Sequence, residues 1–302
     1  MFSTYHLKFC ICFLLCVFFI NVCLSQENER TQEMSNVFFH FVHPIIDENT
    51  YNEIKKSDFL KNEFCNGQEK THSSANLSWT GFYLTGINTY IQIFNNKDKQ
   101  NLQKLGCGSV GINFLVDKKE DLDKLTELFK QKYSAPIKTG LFEKKVDGAL
   151  IPWIHSIDNE LSDFDSSIMA YHKDYLKYKN VEFSEKTGIT REQYNKTCNA
   201  VPYDKTKLFK DIEEITALLS DDVMSKFLEQ LTLLGYAINK EGDCTVCRGP
   251  GIIFNLKKSI DQSCKLLKLG MSLNRSVSVQ QVYNLGNSKL ELEKDKATWM
   301  FN

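Results

Sequence analysis

Apolar runs of strand length alternate with helical stretches from residue 37 onward. The run Val37–Ile46 is almost wholly apolar and predicts a buried strand. A helix that begins with an Asp or Asn N-cap is predicted for residues 47–64. Residues 65–74 are polar and indicate a loop. Two strands are then predicted at 79–84 and 89–94, because the glycine and asparagine between them are typical of a hairpin turn.

The same order repeats in a second unit. A short apolar strand is predicted at 110–116, and residues 118–133 have the spacing of an amphipathic helix. The apolar face of that helix consists of Leu122, Leu125, Leu128 and Phe129. Two more strands are predicted at 138–143 and 149–157. The repetition indicates a pair of related modules that together span residues 37–158.

The second half of the chain begins with a polar stretch and ends in a third unit. Residues 159–204 are charged, contain one compact apolar patch at 169–176, and are interpreted as an insertion or linker. The C-terminal module at 205–302 begins with a predicted strand at 212–219 and a helix at 221–234 that ends before Gly235. Four further strands are predicted at 236–238, 251–256, 277–283 and 289–293. Helices that alternate with groups of strands predict an α+β protein with mostly antiparallel, curved sheets.

The first 36 residues have the composition of an export signal. Lys8 is followed by an uncharged, largely apolar run from residue 9 to residue 24, and Ser25 precedes a very polar stretch. This order predicts a signal peptide at 1–25 that is cleaved before Gln26, with a polar leader at 26–36. The alternative is an uncleaved signal anchor, but the run is shorter than a membrane span and contains Asn21. We therefore expect a secreted protein without stable membrane insertion.

The charge balance excludes some classes of partner. The chain has 37 Lys and Arg residues against 38 Asp and Glu residues, so it has no basic surplus for nucleic acid or an anionic membrane. No nucleic-acid partner is expected. A small-molecule ligand is compatible with this composition.

Cysteine usage depends on the signal peptide. Four of the ten cysteines lie within residues 1–25, and six remain in the exported part: Cys65, Cys107, Cys198, Cys244, Cys247 and Cys264. An even number in an oxidising compartment predicts up to three disulfides, with fifteen possible pairings. The Cys244-x-x-Cys247 spacing is also that of zinc or redox sites, but no second such pair or nearby histidine completes a metal set. We also expect N-glycosylation at three Asn-x-Ser/Thr triplets, headed by Asn76, Asn195 and Asn274.

Several local sequences resemble a glyoxalase-like family of the vicinal oxygen chelate superfamily, in a branch without an established activity. The resemblance covers most of residues 37–302. It is carried by His40, Lys56-Ser-Asp-Phe-Leu-Lys61, Trp79-Thr-Gly-Phe-Tyr83, Asn88-Thr-Tyr-Ile-Gln-Ile-Phe94, Gly111-Ile-Asn-Phe114, Gly286-Asn-Ser-Lys-Leu-Glu-Leu292 and Trp299-Met-Phe301.

The resemblance implies paired βαβββ modules whose sheets curl around a shared cleft. It also implies a divalent metal in that cleft, held by side chains from the first and last strands of the two modules. Carried over one by one, these positions are His40, Gln92, Asn113 or its neighbour Ile112, and His155. His172 is a further candidate from the polar stretch. The set lacks a carboxylate, which is a departure from the superfamily pattern.

The residues themselves allow two interpretations. Gln92 shares a strand face with Tyr90 and Phe94, and a polar group among aromatic rings is typical of a ligand cleft that Tyr83, Tyr90 and Trp153 would line. The alternative is a buried amide within an aromatic core. His43 is predicted to be structural, because it lies three residues after His40 and so faces the other side of a regular strand.

Two functions follow from these observations. The first is a secreted glyoxalase-like protein that binds a small molecule in the cleft between modules, with a divalent metal as the candidate cofactor. Whether it would be an enzyme is left open. The alternative is a non-catalytic secreted binding or structural glycoprotein on the same scaffold.

Overall fold

Three βαβββ units follow one another along the chain. The computed structural model describes residues 37–75, 78–98, 108–161 and 164–302. The first unit consists of β1 Val37–Ile46, α1 Glu48–Lys56, a π-helical turn Leu60–Phe64, β2 Gln68–Ser73, β3 Ser78–Thr85 and β4 Tyr90–Asn95. The second consists of β5 Val110–Val116, α2 Lys119–Lys132, β6 Ile137–Val146, β7 Ala149–Leu161 and β8 Phe164–Tyr171.

Two short helices and a third unit complete the fold. The helices are α3 Lys173–Tyr178 and α4 Arg191–Thr197. The third unit consists of β9 Phe209–Leu219, α5 Asp221–Leu233, β10 Ala237–Glu241, β11 Cys244–Gly249 and β12 Ile252–Lys258. A long hairpin of β13 Lys265–Leu285 and β14 Ser288–Phe301 ends the chain. Residues 37–302 belong to one compact unit.

Local sequence signals explain where the helices begin and what they bury. The Asp47 carboxylate accepts a hydrogen bond from the Thr50 backbone amide at 3.0 Å, which caps α1 as predicted. Ser220 caps α5 in the same way. The α2 residues Leu122, Leu125 and Phe129 are all buried, since they lie on the predicted apolar face.

The strands form two mixed sheets. The first has the order β2-β3-β4-β1-β5-β8-β7-β6, and the second has the order β10-β11-β12-β9-β13-β14. Within each module, the first and last strands pair in parallel, as β1 with β4, β5 with β8, and β9 with β12. The two modules of the first sheet join through antiparallel pairing of β1 with β5. The predicted α+β class with curved sheets is confirmed.

The structure departs from the predicted elements in three places. Residues 68–73 form β2 within the expected loop 65–74, because they pair along their length with β3. The stretch 159–204, interpreted as an insertion or linker, contains β8, α3 and α4. The strand predicted at 277–283 is the outer part of the 21-residue β13.

Four of the six cysteines that were expected to form disulfides do not form them. Cys65, Cys198, Cys244 and Cys247 are free thiols. Cys244 and Cys247 are three residues apart on β11, so their side chains project from opposite faces and cannot bond to each other. Cys264 is buried, and Cys107 lies outside the described residues.

The structure does not place Asn195 in the surface position that was expected of its sequon. This residue lies in α4 with none of its surface exposed, and its Nδ2 donates a hydrogen bond to the Gly86 carbonyl at 3.1 Å. Asn274 is half-buried, and its Nδ2 donates to the carbonyls of Lys207 and Phe209. Both side-chain amides are therefore hydrogen-bonded within the fold, whereas the amide of a sequon in a surface loop would be exposed to solvent. Asn76 lies outside the described residues.

The predicted signal peptide at 1–25 and the leader at 26–36 also lie outside the described residues. No described helix has both the length and the apolar character that crossing a membrane requires.

Candidate functional site

The first sheet curls until its two edge strands, β2 and β6, come into contact. Its inner side, here called the concave face, carries Phe41, Tyr90, Leu115 and Tyr171. Helices α3 and α4 pack over part of this face and contribute Tyr175, Leu176, Tyr194 and Cys198 to one buried cluster. Part of the cleft between the modules is therefore filled by the chain itself.

His40 lies within this cluster and has no free ring nitrogen. Its Nδ1 is 3.2 Å from the Asn88 carbonyl oxygen, to which only a protonated nitrogen can donate, and its Nε2 accepts from the Tyr171 hydroxyl at 3.0 Å. The ring is fully buried and makes edge contacts with Tyr90 and Tyr194. Burial, with a smaller contribution from the Arg191 charge, lowers the pKa of His40 to about 3. The side chain is a neutral hydrogen-bonding residue of the core.

Gln92 and the aromatic residues predicted beside it do line the concave face. The Gln92 Nε2 donates to the Tyr83 hydroxyl at 2.5 Å, and both side chains are buried. Tyr90 stacks on Phe41 with ring centroids 4.5 Å apart. Trp153 packs against the same cluster from β7. This arrangement matches the buried-amide alternative, since Gln92 has a protein partner.

His155 lies on the other side of the sheet. In the pairing of β7 with β8, His155 is opposite Ala170, whereas Ile154 is opposite Tyr171, so His155 faces away from the cluster. Its ring centroid is 5.0 Å from that of His172. Burial, followed by His172 and Lys119, lowers the pKa of His155. His172 caps α3, accepting from the Asp174 amide at 3.1 Å. The structure therefore does not bring His40, Gln92 and His155 together.

His43, which the sequence predicted to be structural, is part of a polar cluster on the concave face. Asn113 Nδ2 donates to His43 Nδ1 at 3.1 Å, and His43 Nε2 lies 3.4 Å from Asp165 Oδ2. We call these three residues the His43 cluster. Its members come from β1, β5 and β8, which are the first strands of both modules and the last strand of the second.

A β-bulge explains why the predicted strand face of His43 was wrong. The register of β1 against β5 shifts between Phe39 and Phe41, so His40 is an extra residue without a direct partner. The extra residue reverses the alternation, and His40 and His43 both project toward the concave face. A glycine leaves room for the ring, because a Cβ on Gly111 would overlap His43 Nε2.

Burial sets the protonation state of the His43 cluster. It lowers the pKa of His43 to about 4 and raises the pKa of Asp165 to about 6. At neutral pH the imidazole is therefore uncharged and the carboxylate is ionised. The Asp165 side chain keeps 36% of its surface exposed, compared with 10% for His43, so the cluster reaches solvent through the carboxylate.

The donors present do not fit a metal centre held by the protein alone. The His43 cluster supplies one imidazole, one carboxylate and a carboxamide that already bonds the imidazole. Catalytic zinc sites use three protein ligands plus water. Within the described residues, no group of three or more His, Cys, Asp or Glu side chains is placed to hold a metal ion.

The fold is similar to that of several solved proteins. A hypothetical protein from Staphylococcus aureus matches with a TM-score of 0.51 at 11% identity, over 82% of this chain and 96% of that one. A fusion of a xylose isomerase-like TIM barrel with 4-hydroxyphenylpyruvate dioxygenase matches with a TM-score of 0.42 at 13% identity, over 76% of this chain and 35% of that one. A 4-hydroxymandelate synthase variant from Streptomyces coelicolor matches with a TM-score of 0.37 at 9% identity, over 75% of this chain and 63% of that one.

The paired βαβββ modules and the curled sheet define an α+β protein with curved, mostly antiparallel sheets. The resemblance to the vicinal oxygen chelate superfamily stays a prediction from the sequence. Residues 39–301 match the family described as "Family of unknown function (DUF5829)", and the chain belongs to that family. No curated protein matches the sequence. The glyoxalase-like branch remains a prediction.

Proposed function

We propose that this protein binds a small polar molecule in the cleft between its modules, at the His43 cluster. The observation that carries the proposal is the convergence of an imidazole, a carboxylate and a carboxamide from β1, β8 and β5 on the concave face. Buried polar groups that converge in a cleft are typical of small-molecule sites. The partly exposed Asp165 carboxylate gives such a molecule access.

The protonation states suggest the class of ligand. The Asn113 donor occupies His43 Nδ1, so the proton of the neutral ring is on Nε2 and can be donated. Asp165 beside it accepts hydrogen bonds. A neighbouring donor and acceptor suit a molecule that carries a carbonyl next to a hydroxyl, such as an α-hydroxyketone. A ligand carboxylate would be repelled by Asp165.

Dihydroxyacetone is a suitable probe, and acetone is the matched analogue without hydroxyls. We expect dihydroxyacetone to shift the backbone amide signals of residues 43, 113 and 165 in NMR titrations of the full chain, and acetone to shift them less. Asp165→Asn should weaken binding about tenfold or more, because hydrogen bonds to a charged group are the stronger ones.

Asp174→Asn is the matched control, because Asp174 also lies beside a histidine, His172, but has a side chain that is 51% exposed. This variant should bind like the wild type. Equal binding by the wild type and Asp165→Asn would refute the proposed site.

The proposal requires no metal, because the described donors do not form a three-ligand set. Titrations with EDTA-treated protein and with added Mn²⁺ or Zn²⁺ test this point. We expect the same affinity in both. Binding that appears only with the metal would show that an ion completes the His43 cluster, as the superfamily resemblance implies, and would overturn the metal-free version.

The second candidate is a non-catalytic secreted binding or structural protein. The packing of Tyr175 and Tyr194 into the concave face favours it, because these rings occupy space in the cleft between modules. Export remains a proposal based on residues 1–25 and is tested by N-terminal sequencing of the chain from a secretory host. A mature N-terminus at Gln26 is the expected result.

A further inference from the structure

A second cluster lies where the curled sheet closes, apart from the residues of the His43 cluster. His72 and Trp79 reach it from β2 and β3, while Lys144 and Trp153 reach it from β6 and β7. We call these four residues, together with Lys179, the basic aromatic patch. All five side chains are half-buried, so the patch is in contact with solvent.

Aromatic rings form the walls of the patch. Trp79 and Trp153 are nearly parallel, with centroids 6.2 Å apart and an interplanar angle of 11°. The His72 centroid lies 5.7 Å from that of Trp79 and 5.9 Å from that of Trp153. The Lys144 ammonium lies 4.6 Å from the Trp153 centroid, which is cation–π distance.

One polar atom in the patch has no partner. The Trp153 Nε1 is buried and makes no hydrogen bond. An indole N–H is a donor only, and leaving it unpaired costs free energy. Its missing partner is therefore a hydrogen-bond acceptor.

The positive charge of the patch is not balanced by a carboxylate. Lys144 Nζ donates to the Tyr175 hydroxyl at 3.3 Å, a neutral partner. Neither Lys144 nor Lys179 forms an ion pair with any side chain in the part of the chain that the structure describes. Burial, followed by the charges of Lys144, Lys179 and Lys70, lowers the pKa of His72. Burial and Lys179 likewise lower the pKa of Lys144 to about 8. The group that would balance the patch is an anion.

We propose that the basic aromatic patch is a binding site for a small aromatic carboxylate. Its ring would pack against the indole faces, and its carboxylate would pair with Lys144 and Lys179 and accept from the Trp153 indole. This ligand class differs from the one proposed for the His43 cluster, where a carboxylate is disfavoured.

Benzoate is the probe, and indole N–H signals in NMR spectra of the full chain are the readout. The chain has three tryptophans, and the third, Trp299, is fully buried and donates from Nε1 to Ser288 Oγ at 3.1 Å. We expect benzoate to move the Trp153 signal downfield, as it gains an acceptor, and to leave the Trp299 signal in place. Benzyl alcohol, which lacks the charge, should bind at least about tenfold more weakly.

Substitutions distinguish benzoate binding at the patch from a general effect of removing a positive charge. Lys144→Met keeps an unbranched side chain without the ammonium and should weaken benzoate binding about tenfold or more. Lys177→Met removes an exposed lysine from the neighbouring helix α3 and should leave binding unchanged. If Lys144→Met also moves the Trp299 signal, which would indicate altered folding, Lys179→Met provides the same test.

Equal benzoate affinity in the wild type and the folded lysine variant would overturn the proposal, as would equal affinity for benzoate and benzyl alcohol. Asp165→Asn serves as a further control and should bind benzoate normally. The benzoate test can therefore fail while the dihydroxyacetone test succeeds, and the reverse.

Discussion

At the scale of single residues, one inserted position in β1 decides which side chains meet. The bulge at His40 places both histidines of this strand on the concave face, where a regular strand would separate them. His40 then bonds Tyr171, while His43 bonds Asn113. Each ring is held in its neutral form by burial. The fold therefore depends on these residues not accepting a proton.

The pKa of His40, lowered from 6.5 to about 3, predicts a pH-dependent stability. Between these values the unfolded chain binds a proton that the folded chain does not, so the free energy of unfolding falls as the pH falls. The contribution of His40 is complete above pH 6.5 and declines by roughly 1.4 kcal/mol per pH unit below it.

Urea unfolding of the wild type and His40→Gln at pH 7, 6 and 5 measures this effect. Asp165 and Asp117, whose pKa values are each raised to about 6 by burial, oppose the trend in both proteins. The difference between the two proteins therefore isolates His40. We expect the wild type to lose more stability than the variant on acidification, and parallel pH curves would contradict the assigned pKa.

At the scale of elements, one carboxylate joins the first sheet to the second. The turn after β3 reaches the start of β9, where Asp211 Oδ1 accepts from the backbone amides of Asn88 and Thr89 at 2.8 and 2.9 Å. Asp211 Oδ2 accepts from Asn88 Nδ2 at 2.8 Å. The carbonyl of Asn88 in turn bonds His40. This junction therefore fixes the turn at residues 88 and 89, and through the Asn88 carbonyl it positions His40.

Asp211→Asn should weaken that junction. The new amide group would place a donor against the donors of residues 88 and 89, and hydrogen bonds to a charged acceptor are lost. We expect a loss of about 2–3 kcal/mol in the free energy of unfolding, measured by urea denaturation. Asp243→Asn, at an exposed ion pair with Lys257, is the control and should have little effect. A loss below about 0.5 kcal/mol for Asp211→Asn would contradict a supporting role for the carboxylate.

The elements also show where the sequence pattern was sufficient. The helix α2 followed from the spacing of Leu122, Leu125 and Phe129, which are buried as expected. Strand β2 could not be predicted from the pattern, because its residues are polar like those of a loop and form a strand through pairing with β3. Strand β8 was missed for a related reason: Asp165, Ser166 and Ser167 interrupt its apolar pattern. Those polar residues begin the strand that supplies the carboxylate of the His43 cluster.

At the scale of the whole molecule, burial decides which sequons are usable. A glycan on Asn195 would have to replace the bonds of its amide to the turn at residues 86–89 and enter a fully buried position. We therefore expect no glycan at Asn195 when the chain is produced in a secretory host.

Mass spectrometry of tryptic glycopeptides measures the occupancy of each sequon. Asn274 should also be unoccupied, because its amide nitrogen is bonded to two carbonyls. A glycan on Asn195 in folded protein would show that α4 is not packed as described.

The sequence alone determined the class of fold, since strand and helix periodicities alternate along the chain and the alternation repeats in each module. It also indicated that Gln92, Tyr90 and Phe94 share a face, which follows from the period of two along a strand. Only the tertiary structure decided the composition of the site. A bulge reversed the face of His43, and the pairing of β7 with β8 turned His155 outward. The residues around Asp165 and Lys144 come from strands that are distant from them in the sequence. No local pattern records such contacts, because register and burial are set by the packing of the whole fold.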